Sequence, residues 1–77
     1  MYYVYILQLN NGLFYTGYSS DLRQRLVSHK TKEVFTTKNK QPTLVWYSAF
    51  QSQDKAIEFE KYLKSGSGKA FARKRFI

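Results

Sequence analysis

"YYVYILQLNNGLFYTGYS", residues 2–19, is the stretch that decides the fold. "YYVYILQL" (2–9) is rich in aromatic and β-branched residues and reads as a strand. "NNG" (10–12) is a turn signal, and "LFYTGYS" (13–19) reads as the returning strand of a hairpin. Alternate residues of a strand share a face, so Tyr3, Tyr5 and Leu7 point one way and Tyr2, Val4 and Ile6 the other. The turn then sets which residues of the second strand join them. A two-residue turn at Asn11-Gly12 pairs Asn10 with Leu13 and puts Tyr5 and Tyr15 on opposite faces. A three-residue loop pairs Leu9 with Leu13, which brings Leu7 opposite Tyr15 and Tyr5 opposite Gly17. The second register, or an equivalent bulge, is expected here. Gly17 would then leave room for a ligand to approach the sheet beside Tyr5.

Working outward, Ser20 or Asp21 can cap a helix through "DLRQRLVSHK" (21–30). "TKEVFTTKNKQ" (31–41) lacks periodicity and reads as a basic loop. After Pro42, "TLVWYSAF" (43–50) is a third strand, with Trp46 expected in the core. "SQD" (52–54) offers a cap for "KAIEFEKYLKS" (55–65); "GSG" (66–68) should break that helix. "KAFARKRF" (69–76) reads as a short basic terminal helix. The order ββαβαα predicts an α+β fold: a small three-stranded, mainly antiparallel sheet flanked by about three helices.

Seventy-seven residues fit one domain, 1–77, with a small core and a thin stability margin. There is no cysteine, hence no disulfide, thiol nucleophile or thiolate metal site, and the single histidine excludes a multi-histidine site. A bound metal would need oxygen ligands, which suits magnesium or manganese. No apolar run approaches the ~20 residues of a membrane span. "MYYVYIL" has neither the basic region nor the cleavage site of a signal peptide, so a cytoplasmic, full-length protein is expected. Thirteen Lys and Arg against five Asp and Glu give a net charge of +8. That favours a polyanionic partner, nucleic acid before a membrane surface, because no basic amphipathic helix stands out.

Of the seven tyrosines, Tyr2, Tyr3, Tyr5, Tyr15 and Tyr18 lie in the hairpin region. Strand propensity and core filling account for most of them. A buried phenol still needs a hydrogen-bond partner, so several on one sheet imply a polar network or a site. On the first helix, with Leu22 at zero, Leu26 falls at about +40°, His29 at about −20° and Arg25 at about −60°. Arg23 and Gln24 face away. Arg25 and His29, one turn apart, therefore sit with the leucines rather than with solvent. A lone histidine on an apolar face is ordinarily a satisfied core residue; an arginine on the same edge shifts that balance. Arg25 offers a planar fork for phosphate oxygens. His29 can donate to a phosphate or move a proton near neutral pH.

"AIEFEKYL" (56–63) poses a sharper question. With Ala56 at zero, Leu63 falls at about −20°, Phe59 at about −60° and Ile57 at about +100°. Glu58 points to the opposite side, but Glu60 falls at about +40°, on the apolar arc. A carboxylate there needs a partner. The choices are a salt bridge to Lys64 or Arg25, or a metal. An exposed helix pair contributes only ~0.3–0.5 kcal/mol. The loop residues Lys32, Lys38 and Lys40 and the tail residues Lys69, Arg73, Lys74 and Arg75 are either phosphate positioners or a solvated basic face.

Two tyrosines on a hairpin, an arginine–histidine pair on the next helix and a covered glutamate on a later one together resemble the GIY-YIG nuclease family, in its small stand-alone branch. "YVY" (3–5) stands where that family has GIY, with Tyr3 in place of the first glycine, and "YTG" (15–17) stands for YIG. "SSDLRQRLVSH" (19–29) is similar to its helix, with Arg25 and His29 at the arginine and histidine positions. "AIEFEKYLK" (56–64) looks like its metal-binding helix. Many members carry a late asparagine where this chain has the region of Ala72. The resemblance spans essentially the whole chain.

It implies a divalent-metal-dependent endonuclease that hydrolyses DNA phosphodiesters, in repair or recombination, with RNA as the other nucleic acid to consider. The implied catalytic set is Tyr5, Tyr15, Arg25, His29 and Glu60, with Glu60 the magnesium or manganese ligand. Gly17, Lys38, Lys40, Lys64, Lys69 and Arg73 would contact substrate. The protein would act as a monomer or weak dimer, with no membrane and no small-molecule partner. The competing reading is a non-catalytic nucleic-acid-binding module of the same fold.

Overall fold

Strand β1 (Tyr2–Gln8) runs up the middle of the sheet, between β2 (Phe14–Ser19) and β3 (Thr43–Phe50), antiparallel to both. This computed structural model describes residues 1–30 and 41–77, with side chains for 1–28 and 41–77. Lys32, Lys38 and Lys40 lie outside the described residues.

The hairpin takes the three-residue loop. The Leu9 amide donates to the Leu13 carbonyl (2.8 Å) and the Gly12 amide to that of Leu9 (2.9 Å). Gly12 has φ +84°, a conformation glycine adopts without steric cost, and it lets a short loop follow the twist of the strands. Asn11 Oδ1 accepts from the Leu13 amide (3.1 Å) and braces the turn. Tyr5 therefore faces Gly17 and Leu7 faces Tyr15. On the other side of β1, Tyr5 faces Tyr47 and Ile6 faces Trp46, with a register shift between Ile6 and Leu7.

The two sheet faces carry different loads. Val4 and Ile6 are buried beneath Ala56 and Leu63 of α2 (Gln53–Lys64) and Ala72 of α3 (Gly66–Arg75). Trp46 belongs to this face, as expected, stacking on Phe76 (4.2 Å) and meeting Phe59 (5.9 Å). Ser52 caps α2, its side chain accepting from the Lys55 amide (3.3 Å). On the opposite face, α1 (Leu22–Lys30) begins at Asp21, whose Oδ1 accepts from the Gln24 amide (3.1 Å). Leu22 and Leu26 are half-buried, and the charged residues between them are exposed. Among the described residues no helix is long and apolar enough to cross a membrane.

The break between α2 and α3 is shorter than the sequence suggests. Ser65 alone ends one helix and starts the next: its hydroxyl donates to the Tyr62 carbonyl (2.6 Å) and accepts from the Gly68 amide (3.1 Å). Gly66, Ser67 and Gly68 lie within α3. Gly68 is buried, and a Cβ there would overlap the Tyr62 carbonyl. The glycine answers the close approach of two helices rather than a need for an extended linker.

Candidate active site

Tyr5 sits at the centre of the tyrosine face, at 0 % exposure. Its ring lies across Gly17: a side chain at that position would collide with the ring carbon Cζ and the hydroxyl of Tyr5. The space expected to admit a ligand is thus occupied by the Tyr5 ring, which leans over β2 toward the sheet edge. The register set by the three-residue loop also brings Tyr15 to the same face, its ring 6.5 Å from that of Tyr5 and tilted by 38°.

Arg25 reaches this cluster from α1. Its guanidinium donates a hydrogen bond to the Tyr5 hydroxyl. The helix wheel put Arg25 among the leucines; it is exposed instead, and only its tip returns to the sheet. A long stem makes that possible, because a guanidinium can touch a phenol while most of the side chain stays in water. Burial pushes the Tyr5 phenol above its ordinary value; the Arg25 hydrogen bond and positive charge act against this, and the electrostatic influence of neighbouring Tyr15 and Glu60 acts with it. The net shift is upward. Tyr5 is consequently a neutral phenol across the physiological range.

Glu60 comes from α2 and lies close enough to Tyr5 to act on its titration. Its side chain is 18 % exposed, and Oε2 lies 3.1 Å from Nζ of Lys64, itself 55 % exposed. The salt bridge weighed from the sequence is therefore formed. Among the described residues no group of three acidic or histidine side chains could enclose a metal. What remains suits a hard cation all the same: one carboxylate whose partner is a flexible, solvent-exposed lysine, with phenols nearby. Magnesium is commonly held by one or two carboxylates and retains most of its water.

The remaining predicted residues scatter. His29 lies on α1 one turn after Arg25, but its side chain is outside the described residues. Lys69 and Arg73 line a groove of about 360 Å³ with Leu13 and Phe14, on the side of the sheet that carries Ile6 and Leu63. Ala72, in the region of the family's late asparagine, is buried in the core. Two residues given no role by the sequence, Arg23 and Tyr47, line an open cleft of about 560 Å³ next to Tyr3. The parity of "TLVWYSAF" carried a signal for Tyr47: Trp46 packs against the core, so its neighbour must face the other way.

A neutral phenol held by a guanidinium, with a second phenol and a carboxylate around it, thus sits on a sheet of order β2-β1-β3. The GIY-YIG catalytic domain matches residues 1–75, and the chain belongs to the GIY-YIG family, whose members are generally nucleases. Within it the chain resembles the UPF0213 proteins. It is 36% identical over 70 residues to UPF0213 protein SAG0778 of Streptococcus agalactiae, covering 88% of this chain and 80% of that one. It is 31% identical over 68 residues to UPF0213 protein SSP2268 of Staphylococcus saprophyticus, covering 86% and 83%. The solution NMR structure of UPF0213 protein BH0048 from Bacillus halodurans superimposes with a TM-score of 0.62 at 30% identity, over 99% of this chain and 87% of that one.

Proposed function

We infer that residues 1–77 act as one nuclease domain, a divalent-metal-dependent endonuclease that hydrolyses DNA phosphodiester bonds. The observation that carries this reading is the guanidinium of Arg25 on the hydroxyl of a buried tyrosine, with Tyr15 and Glu60 beside the same phenol. Arg25 neutralises charge as it develops on the non-bridging oxygens of the phosphate. Tyr5, kept neutral by burial, aligns the attacking water rather than removing its proton. His29 is the residue type that takes such a proton near neutral pH. Tyr15 positions water or phosphate. Glu60, now paired with Lys64, is the residue that would hold magnesium or manganese. When bound, the cation supplies Lewis-acid stabilisation of the leaving oxygen. Branched and nicked DNA, the forms met in repair and recombination, are the substrates to try first.

One observation favours the second reading, a nucleic-acid-binding module without catalysis: the carboxylate offered to a metal is already paired with Lys64. A cleavage assay separates the two. Purified protein is incubated with branched, nicked and single-stranded DNA, and with RNA for comparison, in magnesium or manganese. Arg25→Ala should slow cleavage by about 10²–10³-fold, the loss seen when one preorganised donor is removed elsewhere. Glu60→Gln should abolish metal-dependent cleavage. Wild type that cleaves nothing, with both variants binding DNA equally well, establishes the binding module. Cleavage undiminished in both variants removes these residues from the site.

A further inference from the structure

We propose that the cleft between α1 and the β1–β3 half of the sheet seats an unpaired nucleotide of the substrate strand, next to the phosphodiester being cut. The proposal rests on the endonuclease reading and adds to it a substrate class: nucleic acid with bases free of the duplex stack.

Five observations carry it. Tyr47 is 54 % exposed, on the sheet face away from Trp46. Its ring lies 6.5 Å from that of Tyr3 at 57°, so the two rings form an open corner rather than a closed stack. The cleft they border measures about 560 Å³, within the ~300–1,000 Å³ usual for a bound small molecule, and Leu22 and Leu26 form its apolar wall. Arg23 stands at its rim. Asp21, the one acid among the described residues that line it, is engaged with the α1 backbone through the Gln24 amide.

The occupant follows from charge and continuity. A chain of net charge +8 draws polyanions. Tyr3 precedes Tyr5 by two residues on one strand face, about 6.8 Å along β1 at ~3.4 Å per residue. Arg23 lines the cleft beside Tyr3, while Arg25 reaches Tyr5. A strand whose phosphate lies at Arg25 can therefore lay its neighbouring base against Tyr47 and its next phosphate at Arg23. Bases within a duplex have no free face to offer. An unpaired base does, and stacking on aromatic side chains is how single strands are held without sequence preference. The seat would select flaps, gaps and branches over plain duplex.

The test is binding by fluorescence anisotropy in EDTA, which needs no turnover. Labelled oligothymidylate of about a dozen nucleotides is compared with a blunt duplex. Tyr47→Ala should weaken single-strand binding by roughly 5- to 100-fold and duplex binding by less than about twofold. Tyr47→Phe, which keeps the ring, should stay near wild type. Arg23→Ala should lower the slope of log affinity against log salt by about one. Circular dichroism checks folding, and if Tyr47→Ala unfolds, Tyr47→Leu decides in its place. Equal weakening of both DNAs, or of neither, overturns the proposal. If wild type binds neither DNA, the endonuclease reading falls with it; if wild type binds or cleaves DNA and Tyr47→Ala behaves like wild type, only the nucleotide seat fails.

Discussion

On one face of the sheet Val4 and Ile6 are sealed under Ala56, Leu63 and Ala72 from two helices; on the other, Tyr5 and Leu7 are buried but Tyr3 and Tyr47 are not, beside one short helix with two half-buried leucines. The first face is apolar and closed by ring-on-ring contacts. The second keeps phenols, a guanidinium and a carboxylate within mutual reach. The difference shows how a small chain divides its labour. Stability is concentrated where burial is complete and nonpolar. The polar groups gather where cover is thin enough for Arg25 to touch a buried phenol while remaining in water.

The largest effect that could break this contrast comes from the closed face. Leu63 is 2 % exposed and central to the core. Leu63→Ala should cost about 2–5 kcal/mol through lost burial and the cavity left behind. Small domains have only ~5–15 kcal/mol in total, so urea denaturation should show a large fall in midpoint. Whatever fraction remains folded should retain its affinity for DNA. If Leu63→Ala left the midpoint unchanged, stability would not reside on that face.

Gly17→Ala should act on the open face by about 1–3 kcal/mol, the usual cost of forcing a methyl group into filled space. Here the methyl meets the Tyr5 ring and hydroxyl. The ring must swing off β2, which separates its hydroxyl from Arg25. Cleavage should therefore fall by more than the loss of folded protein explains, and adding Tyr5→Phe should cost no further activity. Independent, multiplicative losses in the double variant would show that Gly17 acts without Tyr5.

Parts of this arrangement were legible in the sequence because local chemistry forced them. "NNG" followed by alternating residues left few registers, and a glycine at positive φ settled the three-residue loop. The apolar arc of Ala56 and Leu63 fixed the buried side of α2. Other parts depend on contacts between distant segments. "GSG" carries a breaker signal, yet Gly68 serves packing against Tyr62, which no local pattern encodes. The α1 wheel was oriented on Leu22 and Leu26 alone, so it misjudged Arg25 as covered and assigned Arg23 to open solvent rather than to the edge of a cleft. Tyr5, Tyr15, Arg25 and Glu60 gather around one phenol because three elements meet there. The sequence supplied the residue types, and their convergence is a property of the fold.

The smallest predicted effect sharpens the contrast by isolating the one phenol that burial holds neutral. Tyr5 titrates higher in the folded chain than in the unfolded one, chiefly through burial. Below about pH 10, the ordinary tyrosine value, both states keep the proton and the contribution to stability is complete. As pH rises past that value the unfolded chain releases its proton while the folded chain retains it. The folded state then binds more protons, so stability falls with pH and the contribution is lost as pH passes the raised folded value. Tyr5→Phe has no such proton. At pH 8 it should lose about 1 kcal/mol, the usual worth of one hydrogen bond, here the one from Arg25. Between pH 8 and 11 its urea midpoint should decline less steeply than that of wild type, with every other tyrosine and lysine common to both. Parallel declines would mean that Tyr5 is no more shielded than the tyrosines at the surface, and the division between a closed face and a thinly covered one would lose its chemical meaning.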